Sequence, residues 1–214
     1  MQVLPLFPLG VVLFPGTRMP LHIFEPRYQA LVRDCLAEGS LFGVVALRGG
    51  LETDPEAPCY EVGTLAKIER VVRLPRGRLN LMVSGQTRFQ TMRRVDGRPY
   101  LRAEVEPMES FPPGSSGLFV AAQVRLAYDR YRDALLGLRV SIPPFLDLPR
   151  DPADLSWAIA DHLIVELSAK QGLLEDSDPM TRIRSELFLL HREATLLGRR
   201  LAIRLVGSPS YSLN

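Results

Sequence analysis

The chain has 214 residues, of which 46% are hydrophobic and 23% charged, and its formal net charge is +2. A chain of this size and composition buries a full core without disulfide staples. Its near-neutral charge implies no nucleic-acid or membrane partner by itself. The basic side chains are arginines except for Lys67 and Lys170.

The first segment reads MQVLPLFPLGVVLFPGTRMPLHIFEPRY. It is too broken by proline for a membrane span or a secretory signal, and too apolar for a loose tail. A helix follows: Pro26 suits a first helical position, Tyr28 to Leu36 supply the apolar spacing, and Gly39 ends it. Period-2 alternation then predicts strands over 65–74, 79–84 and 101–106, with Leu79, Leu81 and Val83 on one face. Pro75-Arg76-Gly77 and Asp96-Gly97 supply the turns between them. Residues Phe111 to Gly117 have linker composition.

Beyond the linker the period is helical. Val120, Val124, Ala127, Tyr131, Ala134 and Leu138 form one seam. A Pro-rich connection covers 143–152. Asp151 is an N-cap before Pro152, and that helix is expected to run to about Gln171, with Gly172 as its cap. Asp178-Pro179 opens a last helix whose Ile183, Leu187, Leu190, Ala194, Leu197 and Leu201 serve either a bundle or a homodimer. The expected division is a β-domain at 1–112, a helical bundle at 113–206 and a loose tail at 207–214.

Chemistry-bearing residues are sparse. Cys35 and Cys59 form no CxxC pair, so free thiols in a reducing cytoplasm are expected. His22 ends a strand. His162, Glu166 and His191 lack zinc-site spacing, and no metal or cofactor is expected. Neither Ser84-Gly85 nor Ser115-Ser116-Gly117 forms a nucleophile elbow. Residues 64–102 concentrate ten basic side chains against Glu69 and Asp96. Arg70, Arg76, Arg78 and Arg88 are the candidate anion or RNA contacts in that stretch. The bland alternative is a solvated sheet face, and Phe89 and Tyr100 are few aromatics for base stacking.

Four fragments carry a family resemblance. They are Leu4-Pro5-Leu6-Phe7-Pro8-Leu9 with Leu13-Phe14-Pro15-Gly16 and Pro20-Leu21-His22-Ile23-Phe24-Glu25-Pro26-Arg27-Tyr28; Glu61 to Ile68; Val83 to Phe89; and Lys170 to Glu175 followed by Arg182 and Leu187. In this order they resemble the amino-terminal, substrate-binding domain of Lon proteases, a family that also includes cereblon-type adaptors. The resemblance implies an α+β fold: a PUA-like twisted β-barrel with one embedded helix, followed by a C-terminal three-helix bundle.

These residues contain no GxxxxGK[ST] phosphate loop and no evident serine–lysine dyad. A stand-alone module lacking the Lon ATPase and peptidase is therefore expected: not an enzyme, but a binder of polypeptide segments or of a partner protein. Phe14, Met19, Leu21, Phe24 and Tyr28 are the candidate apolar groove, against the alternative that Phe7, Phe14 and Phe24 are all core. RNA or anion binding through the arginines is the alternative.

Overall fold

The computed structural model describes residues 2–39, 41–54, 56–109, 117–140 and 148–206. The 207–214 tail, nearly all of the 111–117 linker and the first half of the Pro-rich connection lie outside those residues. The chain divides into two compact units, Met1–Phe111 with Ala160–Ser177, and Pro112–Ile159 with Asp178–Asn214.

The first unit is a rolled mixed sheet. Its strands are β1 (Gln2–Leu9), β2 (Arg18–Ile23), β3 (Leu41–Leu47), β4 (Cys59–Arg73), β5 (Leu79–Arg94) and β6 (Arg102–Pro107), in the order β2-β5-β4-β3-β1-β6. β6 also pairs with β5, so five strands close on themselves while β2 stands outside the ring as an extra edge strand. The result is not a plain barrel. β1 and β3 run parallel, joined through the embedded helix α1 (Pro26–Glu38). The remaining pairs are antiparallel.

Helix α1 behaves as its sequence dictates. Pro26 lies at its start and Gly39, at φ 124°, stops it. Tyr28, Leu31, Val32 and Cys35 form its buried face, packed with Phe7, Phe42, Val44, Leu81 and Val83. A separate cluster of Leu4, Leu6, Val45, Phe89, Ala103 and Val105 fills the sheet beyond it. Burying side chains of this size is worth about 1.5–3 kcal/mol each. Between β4 and β5, Arg76 (φ 63°) and Gly77 (φ 72°) are both left-handed, and the Leu74 N–H donates to the Arg78 carbonyl at 2.8 Å. Two successive positive φ values match the twist of a tight hairpin. The arginine accepts a conformation that costs a non-glycine residue roughly 1–2 kcal/mol.

The single helix expected from 152 to 171 is two helices. α3 spans Pro152–His162 and α4 spans Leu167–Glu175, and both follow α2 (Gly117–Gly137). The break contains Ile164-Val165, consecutive β-branched residues that weaken helix continuation. Gly172 therefore lies inside α4 instead of capping it, and its carbonyl accepts from the Asp176 N–H. The segment Ala160–Ser177 is compact with the β strands and not with the other helices. The second unit holds α2, most of α3 and α5 (Pro179–Val206). Val124, Ala127, Tyr131, Ile183 and Leu190 are buried there. Asp151 and Asp178 cap α3 and α5 through carboxylate contacts to the N–H groups of Ala153 and Asp154, and of Met180 and Thr181. The expected three-helix bundle is thus redistributed: α4 leaves it for the β unit.

Candidate functional site

The segment between β1 and β2 is fixed first. Gly16 N–H donates to the Gly85 carbonyl at 2.9 Å, and Gly85 N–H returns a bond to Thr17 at 2.9 Å. A Cβ on residue 85 would lie 2.1 Å from the Phe14 carbonyl oxygen, so only glycine permits this approach. The buried Thr64 hydroxyl donates to the Leu13 carbonyl at 2.6 Å. Held in this way, the segment presents Gly10, Val11 and Val12 to one wall of a cavity of about 630 Å³.

Other walls come from Phe7 and Leu9 of β1, Met19 and Leu21 of β2, Phe24 and Tyr28 at the start of α1, and Val165, Leu167 and Lys170 around α4. All of these belong to the first unit. The Tyr28 ring stacks on Phe7 with centroids 4.1 Å apart. The Arg27 guanidinium lies 4.4 Å from the centre of the same Tyr28 ring and also binds Glu25 at 2.9 Å and the Glu52 carbonyl at 2.6 Å. The Glu52 carboxylate accepts from Gly10 N–H at 2.6 Å. The floor is thereby rigid, while Phe24 projects from the rim with 58% of its surface exposed.

The charged lining residues sit in a partly dry setting. Burial pushes the Tyr28 phenol up to about 12. Lys170 Nζ donates to the Asp161 carbonyl at 2.7 Å and lies 6.0 Å from the Phe14 ring centre. Burial lowers the pKa of Lys170 and raises that of Asp161, and each group's charge partly opposes the other's shift. Burial likewise lowers His162. Among the described residues, no three His, Cys, Asp or Glu side chains gather as a metal set. No helix there is long and apolar enough to cross a membrane. Cys35 and Cys59 are free thiols; burial raises both, Cys35 to about 12.

Four of the five expected groove residues, Met19, Leu21, Phe24 and Tyr28, line this cavity. Phe14 does not: it is 0% exposed, because the Gly85 approach turns it into the core. His22 is exposed on β2, with Nδ1 2.6 Å from Asn80 Oδ1.

The anion candidates separate. Arg70, Arg76 and Arg78 are exposed at the β4–β5 hairpin, but Arg88 is 2% exposed. It donates to the carbonyls of Leu174 (2.8 Å), Asp176 (3.0 Å) and Glu109 (3.1 Å), so it holds the end of α4 and is not available to an external anion. Sequence reasoning missed Asp161, Val165, Leu167 and Lys170. They lie far along the chain in what reads as one uninterrupted helix, and the β-branched pair Ile164-Val165 is a weak local signal of the break.

Comparison with known proteins agrees with this architecture. The family described as the ATP-dependent protease La (LON) substrate-binding domain matches residues 3–192. Lon protease 2 of Myxococcus xanthus is 30% identical over 200 residues, covering 92% of this chain and 24% of the relative. The Lon protease of Anaeromyxobacter dehalogenans is 29% identical over 199 residues, covering 91% and 24%. The chain thus spans about a quarter of the length of these relatives. A Lon N-terminal domain protein from Xanthomonas campestris superposes with a TM-score of 0.64 at 29% identity, over 87% of this chain and 98% of that one. The N-terminal domain of the Mycobacterium avium complex Lon protease gives a TM-score of 0.67 at 19% identity, over 89% and 98%, a likeness of fold. The chain belongs to the Lon substrate-binding domain family.

Proposed function

We propose that this chain is a non-catalytic recognition module that binds unfolded polypeptide segments in the cavity between β1, β2, the start of α1 and α4. The observation that carries this reading is the rigid apolar cavity with an exposed Phe24 at its rim. A preformed floor lowers the ordering cost of binding, and an exposed aromatic beside an apolar recess is the usual form of an interface anchor. Substrate binding is the property for which the family is described, and this supports binding over chemistry. The two free thiols accord with a reducing cytoplasm as the working compartment.

The test uses the full chain and fluorescently labelled, reduced and carboxymethylated α-lactalbumin, a permanently unfolded probe, with the native disulfide-bonded protein as control. Phe24→Ala, with its thermal melt unchanged, and Met19→Glu, which also loses packing against the core and melts lower, are each expected to weaken capture of the unfolded probe by about tenfold, a change of ~1.4 kcal/mol. Equal binding by wild type and both variants, or no preference for the unfolded probe, overturns the reading.

A further inference from the structure

We infer that the outer face of the β2–β5–β4 ribbon is a second docking surface, one that takes an acidic polypeptide segment bearing an apolar side chain. Pro20, Leu21 and His22 lie between this surface and the cavity described above, and the inference rests on the rows beyond them.

Strand register builds the surface. Pro20 of β2 lies opposite Met82 of β5, which lies opposite Arg70 of β4; in the next row on that face, His22 lies opposite Asn80, and Asn80 opposite Val72. Side chains two residues apart share a face. Arg78 therefore continues the Asn80–Met82 line toward the hairpin, and Lys67 lies opposite Ser84 at the other end. A bulge between Ile68 and Arg70 inserts one extra residue, Glu69, which engages Arg18 at 3.0 Å. Beyond that pair these rows hold no acidic side chain.

Two observations then coincide. First, a shallow cavity of about 560 Å³ lies over these rows, lined by Pro20, Leu21, Val72, Leu81 and Met82 together with the polar Arg70, His22 and Asn80. Val72, near the hairpin end of β4 and past the last β3–β4 pair, is 40% exposed. Second, Lys67, Arg70 and Arg78 make no ion pair among the described residues; Arg78 reaches only the Pro75 carbonyl, at 3.3 Å. Elsewhere in the same basic stretch three arginines are matched, Arg93 to Glu104, Arg94 to Glu56 and Arg98 to Asp34. Unmatched cations around an apolar recess are complementary to carboxylates flanking an apolar side chain. The recess favours a polypeptide over RNA, because Pro20, Leu21, Val72, Leu81 and Met82 are aliphatic and His22 is the one aromatic ring in its lining, too little for a stacking platform.

The experiment is fluorescence anisotropy with the full chain and a short labelled peptide of Asp and Glu around a single Leu. The same peptide with Ser for Leu, and a single-stranded uridine oligonucleotide, serve as comparisons. The Leu peptide is expected to bind best and to lose affinity as salt rises from about 0.05 M to about 0.5 M. Lys67→Glu, Arg70→Glu and Arg78→Glu combined are expected to weaken it by about tenfold or more. Arg70→Ala alone, a milder surface change, is expected to weaken it severalfold, so a folding defect in the triple variant leaves the test intact. Val165→Glu, which alters the α4 side of the first cavity and no residue of this recess, is expected to leave this binding unchanged, which separates the two sites. Absent binding, equal binding by Arg70→Ala and wild type, indifference to the Leu, or preference for the oligonucleotide each overturns the inference.

Discussion

Replacing Arg88 with Ala tests whether that arginine is a structural clamp or a ligand contact. Its guanidinium donates to three carbonyls, two of them at the C-terminal end of α4. Terminal carbonyls of a helix have no partner within the helix, and a cation there also opposes the helix dipole. Burial lowers the guanidinium pKa and the nearby Asp176 raises it, but an arginine remains charged at neutral pH. Hydrogen bonds to a charged group contribute about 1.5–3 kcal/mol each, and they are not additive when one group makes all three. The expected cost of Arg88→Ala is roughly 3–5 kcal/mol, within a total stability of about 5–15 kcal/mol. At about 2–4 °C per kcal/mol for a chain of this length, the melting temperature falls by roughly 10 °C. Circular dichroism melts give the shift, and amide hydrogen exchange is expected to show α4 losing protection first. Arg88→Lys, which keeps the charge but not the fork, is expected to fall between. A melting temperature within about 2 °C of wild type, with exchange in α4 unaltered, refutes the clamp.

Three further outcomes follow from the packing. The Tyr100 hydroxyl donates to Asp34 at 2.7 Å, and this bond, with the nearby Arg98, holds the Asp34 carboxyl below its ordinary value of 3.8. A depressed folded pKa contributes stability that is present above the unfolded value and lost as pH falls through the folded one. Tyr100→Phe is therefore expected to cost about 1 kcal/mol at pH 7 in urea melts, with the difference shrinking below about pH 4; a pH-independent difference speaks against it. Gly85→Ala places a Cβ 2.1 Å from the Phe14 oxygen, and a loss of at least about 2 kcal/mol, together with weaker capture of the unfolded probe, is expected in melts and anisotropy. In the helical unit the buried Ser156 hydroxyl accepts from Arg182 Nε and donates to Glu186 Oε1, both at 2.6 Å. Ser156→Ala takes one partner from each charged group and is expected to cost about 1–3 kcal/mol by thermal denaturation.

The order of strands then helices, the start of α1 at Pro26, its stop at Gly39, the caps at Asp151 and Asp178 and the hairpin at Arg76-Gly77 are all legible because each depends on neighbours in sequence. The parallel pairing of β1 with β3 is not, since it depends on where α1 carries the chain. Arg88 shows the same limit. Between Thr64 and Ala66 on β4 the register opposite β5 jumps from Arg88 to Gly85. This irregularity resets the inside–outside alternation, and simple period-2 counting across it misplaces the arginine. The choice between core and groove for Phe14 is settled by a related non-local contact: its burial depends on a glycine far along the chain. The cavity was half legible. Its β1–β2 wall lies in one apolar segment, whereas the α4 wall depends on a helix break that leaves no proline or glycine behind.

If the proposed binding of unfolded segments holds, the closure of β6 onto β5 bears on how the module survives them. An exposed strand edge is a template for adding foreign strands, and unfolded chains are the partners most ready to add them. Here β6 is paired on both sides, which leaves β2 as the terminal strand of the sheet. β2 is six residues long and contains Pro20, which has no N–H to offer a newcomer. A protein that holds sticky chains against its side chains while denying them its backbone can release them again, and it is not drawn into the aggregates they form.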